Sequence, residues 1–209
     1  MTIRKMTSLR QRQHEATAEA MLDAAERALL RHGFDKATMQ QIAGETGCVP
    51  GTFYLYFKNK QVLFEALVVR HMRQMHAAAR EAMERASNPL EKIRQAATAA
   101  MQYWQIRRPF LQLVLTVWPV RHRAMQERLS QMGWKDHLEF QRTVQGHLRA
   151  AQKLGLVRRD LPVEILTEFL DSVGFSLVEA FTLAPGRQTA EEQAKIFWGL
   201  VAGGIVHQE

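Results

Sequence analysis

The sequence predicts an all-α protein whose N-terminal helix-turn-helix domain is joined by a long helix to a second, larger helical domain. Apolar residues recur at helical spacing through most of the 209 residues, and no convincing strand pattern or internal repeat interrupts them. Residues 38–60 read as two short helices joined by a tight turn and followed by a basic exit into a third helix. Hydrophobic residues form 46% of the chain, which argues against a disordered protein.

Three residues that favour helix ends locate the turn. Thr38 is a good N-cap because its hydroxyl accepts a hydrogen bond from a backbone N–H in the first turn of the helix. Gly47 stands where a left-handed residue ends that helix, and Pro50 suits the first position of the next one. The second short helix, residues 50–57, is only marginally stable alone, so packing must hold it in place.

This second helix has an apolar side and a polar side. Phe53 and Phe57 lie four residues apart and form the expected buried face. The other side suits a DNA major groove, where donors and acceptors meet base edges and lysines neutralise phosphates. The predicted DNA-contacting residues are Thr38, Gln40, Pro50, Gly51, Thr52, Tyr54, Tyr56, Lys58 and Lys60. The alternative is a small helical hairpin whose tyrosines only pack at a surface.

The run G-E-T-G-C-V-P-G-T-F-Y-L-Y-F-K-N-K-Q-V-L-F resembles the DNA-binding signature of the tetracycline-repressor (TetR) family of bacterial regulators. Residues 21–34 are similar to the first helix of that family, so the resemblance covers roughly the first third of the chain. It implies a dimeric transcriptional regulator, a repressor in our interpretation, that is released from DNA by a small-molecule effector. Val49 stands where a Ser or Thr N-cap is usual, and Leu55 replaces a commoner polar residue such as His. The operator sequence therefore cannot be inferred from a relative.

Composition and charge indicate the kind of partner that the protein binds and the cellular compartment in which it works. The net charge of +7 and the pI of about 9.9 favour a polyanionic partner. The single cysteine, Cys48, cannot form an internal disulfide, which fits a reducing compartment. The N-terminus lacks the apolar segment of a signal peptide, and no apolar run is long enough for a membrane span. We expect a cytoplasmic protein.

The elements around the turn follow in order. Residues 1–13 are basic and lack acidic groups, which indicates an arm that contacts DNA or, alternatively, a solvated and frayed terminus. A first helix over residues 13–32 serves as scaffold, with Gly33 at its end. Asn59 caps a long helix over residues 60–86, which joins the two domains.

We place the domain boundary inside this long helix, near residue 70. Residues 1–70 then form the DNA-binding domain, and residues 71–209 form a domain for ligand binding and dimerisation. Periodicity and proline positions predict five further helices, over residues 90–105, 110–118, 121–154, 162–183 and 189–207.

The last two helices are apolar over more than one face, so one core cannot easily cover them. Their glycines allow close helix approach. We infer a homodimer with a four-helix interface, and the TetR resemblance agrees with it. Burial inside a monomer is the alternative. The expected interface residues are Phe169, Val173, Gly174, Leu177, Phe181, Trp198, Val201, Ala202 and Ile205.

The resemblance implies an effector site in the second domain, and bulky residues give its rough location. A cavity with mostly apolar walls and a few polar groups suits a mostly apolar ligand. Ordinary core packing is the alternative for each residue. The candidate lining residues are Met101, Tyr103, Trp104, Phe110, Leu113, Val114, Trp118, His137, Phe140, Gln141 and Phe175.

Catalytic and cofactor motifs are lacking: the sequence contains no nucleophile elbow, phosphate-binding loop or dinucleotide-binding glycine motif. We expect no enzyme activity, cofactor or metal. The leading hypothesis is a ligand-responsive regulator bound to a roughly palindromic operator, in which Tyr54→Ala or Lys60→Ala weakens DNA binding without unfolding the dimer. The alternative is an all-helical protein that binds or converts a small molecule and does not act on DNA.

Overall fold

The computed structural model describes residues 9–118, 135–183, 186 and 188–206. Within these residues the chain is all-α, as predicted, and the only β pairing is an isolated bridge between Val157 and Val206. The described helices are α1 (Leu9–His32), α2 (Met39–Glu45), α3 (Pro50–Tyr56), α4 (Lys60–Glu84), α5 (Pro89–Ile106), α6 (Arg108–Val117), α7 (Lys135–Lys153), α8 (Val163–Leu183) and α9 (Ala190–Ile205). No described helix has the length and apolarity needed to cross a membrane.

The chain divides into two compact units, Met1–Val68 and Val69–Glu209. The division falls inside α4, which continues without a break from Lys60 to Glu84. The first unit holds α1, α2, α3 and the beginning of α4. The second unit holds the remainder of α4 and the helices that follow.

Two helix starts differ from the predicted ones. Helix α1 begins at Leu9 rather than near Gln13, so the last residues of the predicted basic arm are helical. Helix α6 begins at Arg108, where the sequence predicts a break, because Pro109 lies in the first turn and a proline there loses no helical hydrogen bond. Arg4 and Lys5 of the arm, Trp134, and the first part of the predicted helix over residues 121–154 lie outside the described residues.

The core of the first unit is built by α1, α2 and α3 against the first turns of α4. Phe53 of α3 and Phe64 of α4 are fully buried. The Phe34 ring, which follows the left-handed Gly33 at the end of α1, meets the Phe64 ring edge-on at 5.1 Å between centroids. This packing anchors the short helix α3, whose seven residues are too few for independent stability.

The core of the second unit is centred on α5, which packs against α7 and α9. Leu148 of α7, Leu166 of α8 and Val201 of α9 are essentially inaccessible to solvent and belong to one continuous cluster. Val157, in the turn between α7 and α8, closes the cluster at one end.

The apolar residues of α8 and α9 divide between two faces. Val201 and Ile205, which the sequence places in a dimer interface, are fully buried in the core of their own unit. Val173, Leu177 and Trp198 pack against the same core and remain partly exposed. A methyl group added at Gly174 would lie 3.6 Å from the Phe197 ring of α9, so Gly174 too belongs to an α8–α9 contact inside the unit. Helical periodicity identifies an apolar residue but not which of two faces buries it, and this is why the prediction mixes them.

We predict that Leu148→Ala lowers the free energy of unfolding by about 2–5 kcal/mol, because it removes a buried side chain and leaves a cavity. Leu154→Ala is the matched control, since 63% of Leu154 is exposed, and we expect a change within about 0.5 kcal/mol. Urea denaturation measures both variants. Equal losses would contradict the described core.

Candidate functional site

Helix α2 begins with a capping box. The Thr38 hydroxyl accepts a hydrogen bond from the Gln41 backbone N–H at 3.2 Å, and the Thr38 N–H donates to Gln41 Oε1 at 2.9 Å. Two N–H groups that the helix cannot satisfy itself are thereby paired. The predicted N-cap is confirmed, and the exposed Thr38 and Gln40 lie at the beginning of α2.

The turn between α2 and α3 is held by its own polar groups. The Thr46 hydroxyl donates to the Ala43 carbonyl at 2.6 Å and accepts from the Cys48 N–H at 3.2 Å. Gly47 adopts a φ of 69°, a left-handed conformation that favours glycine. Val49 then occupies the N-cap of α3 without a side-chain hydrogen bond, and Pro50 follows at the first helical position.

The end of α2 is tied to α1 by charged groups. Arg31 and His32, in the last turn of α1, both contact the Glu45 carboxylate at 3.3 Å. These contacts link the last turn of α1 to the last residue of α2.

Helix α3 buries one side and exposes the other. Phe53 is fully buried and Phe57 is 5% exposed, as the four-residue spacing predicts. On the opposite side the exposed residues are Pro50, Gly51, Thr52, Tyr54 and Leu55, and the exposed Lys58 follows the helix. No acidic residue occurs in α3, so a polyanion meets no like charge on this helix.

Tyr56 differs from the other predicted DNA-contacting residues because its ring is already engaged. It stacks on the His14 imidazole of α1, with 4.4 Å between centroids and 24° between planes, and it is half-buried. The ring therefore positions α3 against α1. No signal in the sequence indicates this contact, because His14 lies far from Tyr56 in the chain.

Lys60 also has a different environment from the predicted one. Its ammonium group donates to the carbonyls of Phe34 at 2.5 Å, Ala37 at 2.9 Å and Asp35 at 3.2 Å, and it lies 4.6 Å from the centre of the Phe34 ring. Three ammonium hydrogens are matched by three carbonyl acceptors, which leaves none for a phosphate. The structure therefore corrects our expectation of a DNA-contacting Lys60: the side chain fastens the α1–α2 connection to the start of α4.

Two apolar residues beside the predicted set are strongly exposed. Val49 is 71% exposed and Leu55 is 84% exposed. In the sequence both stand out only as departures from the usual TetR pattern. The exposure of Leu55 extends the candidate nucleic-acid surface, which we define as Pro50, Gly51, Thr52, Tyr54, Leu55 and Lys58.

The second unit contains a cavity of about 130 Å³ at the end of α5. Its walls are formed by apolar side chains of α5 and α8 together with polar ones of α5, α6, α8 and α9. The lining residues are Met101, Trp104, Gln105, Arg108, Val178, Phe181, Thr182, Gly186, Gln188 and Gln193. Met101 and Trp104 are among the predicted ligand contacts, whereas Phe181, predicted to lie in a dimer interface, lines this cavity instead.

The other predicted ligand residues are distributed over the unit. Tyr103 pairs with polar residues of α4: its hydroxyl lies 2.7 Å from His71 Nδ1 and donates to Gln74 Oε1 at 2.8 Å. His137 and Gln141 join a polar group around Asp171. The remainder are core or partly buried side chains: Phe110, Leu113, Val114, Trp118, Phe140 and Phe175. Arg108 is not among the ligand contacts predicted from the sequence, because the sequence places it in a break between two helices.

The polar group of the second unit links α4, α7 and α8. Gln141 Nε2 donates to Asp171 Oδ2 at 2.8 Å, His137 Nε2 lies 4.0 Å from the same oxygen, and His137 Nδ1 lies 3.4 Å from His76 Nε2. Burial, followed by the neighbouring His137, lowers the pKa of His76 to about 3. Burial raises the pKa of Asp171 to about 6, against the opposing effect of the Gln141 hydrogen bond. His76 is therefore neutral near pH 7. Asp171 is ionised at that pH, but burial makes its charged form less favourable than it is in water.

Comparison with known proteins finds a family match in the first unit. The family model of bacterial regulatory proteins, tetR family, matches residues 21–67, which contain α2 and α3 and most of α1. The matched residues hold the helix-turn-helix and lie wholly within the first unit. The TetR resemblance of the sequence is thereby confirmed.

Three similar proteins show how far this likeness extends. The chain is 30% identical to the transcriptional regulator YhgD of Bacillus subtilis over 83 residues, which are 40% of this chain and 44% of YhgD. It is 23% identical to the transcriptional repressor KstR2 of Mycobacterium tuberculosis over 189 residues, covering 90% of this chain and 92% of KstR2. A SmeT–triclosan complex has a TM-score of 0.69 at 21% identity, covering 92% of this chain and 93% of that one. The likeness in fold to that structure thus extends over both units.

We predict that Lys60→Met lowers the free energy of unfolding by about 2 kcal/mol, because three carbonyls lose a charged donor. Lys58→Met is the matched control, since Lys58 is exposed, and we expect no measurable change. Thermal or urea denaturation followed by circular dichroism measures both. If the two variants were equally stable, the structural role of Lys60 would be wrong.

A second prediction concerns pH. The Asp171 carboxyl keeps its proton up to about pH 6 when folded, but ionises near its ordinary value of 3.8 when unfolded. Its contribution to stability is therefore lost as pH rises through the folded pKa. Asparagine cannot ionise, so Asp171→Asn avoids this loss. We therefore expect the stability of the variant, relative to wild type, to rise by about 1 kcal/mol as the pH increases from about 5 to about 8. Because 27% of the Asp171 side chain is exposed, a smaller gain is compatible, whereas a relative loss contradicts the assignment.

Proposed function

We propose that this protein is a transcriptional repressor that binds a roughly palindromic operator as a homodimer and leaves it when a small molecule binds the second unit. The observation that carries the proposal is the exposed, acid-free side of α3, presented within a tetR-family domain. The relatives named above include a repressor, and the net charge of +7 favours a polyanionic partner.

In this proposal α3 enters the major groove with the surface Pro50, Gly51, Thr52, Tyr54, Leu55 and Lys58 facing the DNA. The hydroxyls of Thr52 and Tyr54 exchange hydrogen bonds with base edges or phosphates. Leu55 supplies an apolar contact of the kind that recognises a thymine methyl group. Lys58 neutralises a phosphate, while Thr38 and Gln40 at the start of α2 lie close to the backbone of the duplex.

Exposed apolar residues of α8 and α9 support the homodimer. Ile165 and Phe169 lie one turn apart on α8 and are 51% and 38% exposed, and Ile196 and Leu200 have the same spacing on α9 with 40% and 58% exposed. A pair of helices that shows such residues on its outer face gains free energy by covering them. A second copy meeting this face would form a four-helix interface about a two-fold axis.

Effector control is supported by the cavity of the second unit and by a structural neighbour that is a complex with triclosan. Because α4 begins in the first unit and continues into the second, a rearrangement in the second unit has a helical connection to the first. Coupling of this kind is reciprocal. DNA must weaken effector binding by the same factor by which the effector weakens DNA binding.

The test is selection of genomic DNA fragments on the purified protein at moderate salt, followed by sequencing. We expect a recovered pseudo-palindrome whose half-sites lie on one face of the duplex. Recovery no better than random from a correctly folded dimer contradicts the proposal and favours a small-molecule-binding protein that does not act on DNA.

We predict that Tyr54→Ala weakens binding to the selected fragment by about tenfold or more, because it removes a base or phosphate interaction worth about 1–3 kcal/mol from each subunit. The fold should persist, since 41% of Tyr54 is exposed. Fluorescence anisotropy with the selected fragment and with a shuffled fragment measures the specific part. An unchanged preference for the selected fragment would remove Tyr54 from the interface.

A further inference from the structure

We propose that the cavity at the end of α5 binds a small monocarboxylate with a compact apolar body, and that Arg108 is the partner of its carboxylate. The proposal rests on the proposed function for the role of this ligand as effector. The binding itself depends only on residues of the second unit.

The charge inside the cavity selects an anion. Among the described residues, Arg108 is the only ionisable one that lines the cavity, and no described carboxylate pairs with it. One guanidinium balances one negative charge, so a monocarboxylate fits better than a doubly charged phosphate.

The hydrogen bonding of Arg108 is incomplete. Its Nη2 donates to the Thr182 carbonyl at 3.2 Å, whereas its Nε is buried and has no acceptor among the described residues. A buried donor without a partner costs free energy, and an arginine fork binds the two oxygens of a carboxylate. A carboxylate bound in the cavity supplies acceptors to the N–H groups of Arg108 that line it.

The remaining walls and the volume define the body of the ligand. Met101, Trp104, Val178 and Phe181 supply apolar and aromatic surface, and further lining residues add amide groups. A volume of about 130 Å³ is close to that of a cavity known to hold one benzene ring. Benzoate is therefore a suitable probe, and benzamide is its neutral counterpart of nearly identical shape.

The first experiment is calorimetric titration of the full chain with benzoate and with benzamide near neutral pH in the absence of DNA. We expect benzoate to bind and benzamide to bind at least tenfold more weakly. Equal affinities, or no benzoate binding at millimolar concentration, overturn the proposal, and this comparison needs no variant.

Two variants test the residue. Arg108→Gln should weaken benzoate binding at least tenfold and leave benzamide binding unchanged. Arg107→Gln removes a neighbouring charge that lies 5.9 Å from the Tyr103 ring and does not line the cavity, so it should bind benzoate like wild type. Equal benzoate affinity in both variants overturns the assignment of Arg108, once circular dichroism has shown that both are folded.

The effector role has a separate readout. Benzoate should weaken binding of the genomic fragments recovered by selection, and Arg108→Gln should abolish this effect while still binding those fragments. Benzoate binding that leaves DNA affinity unchanged overturns the effector role but not the site. Failure of the chain to bind any fragment overturns the proposed function, and the calorimetric result stands independently.

Discussion

The Lys60 ammonium group holds together the region that presents α3. It donates to three carbonyls of the α1–α2 connection, which lie 23 to 26 residues earlier in the chain. Helix α3 has seven residues and an N-cap without a side-chain hydrogen bond, so its own hydrogen bonds cannot keep it folded. The exposed side of α3 is therefore defined by tertiary contacts: Phe53 in the core, Tyr56 against His14, and Lys60 fastening the connection before α2.

Local features of the fold are predictable because their causes lie within a few residues. The caps formed by Thr38 and Asn59 and the left-handed Gly47 are such features. Features that depend on distant partners are not predictable in this way. The Tyr56 ring and the Lys60 ammonium group both look available to DNA in the sequence, and each is engaged by a group at least about 20 residues away.

The second unit shows the same distinction. Periodicity identifies α8 and α9 as apolar, but it cannot separate Val201, which is buried in its own core, from Leu200, which is 58% exposed. The cavity escapes prediction because it joins the end of α5, the start of α6 and residues of α8 and α9. Residues that come together from separate segments leave no periodic pattern in the sequence. Arg108, the charged residue of this cavity, also stands at a predicted helix break.

The central claim is that Lys58 and the outer side of α3 contact DNA while Lys60 holds the domain together. Its most direct test is the salt dependence of binding to a selected fragment for wild type, Lys58→Met and Lys60→Met. Removing one phosphate neutralisation should reduce the slope of log affinity against log salt by about 0.9. We predict a reduced slope for Lys58→Met and an unchanged slope for folded Lys60→Met. A reduced slope for Lys60→Met with a wild-type slope for Lys58→Met would contradict the claim.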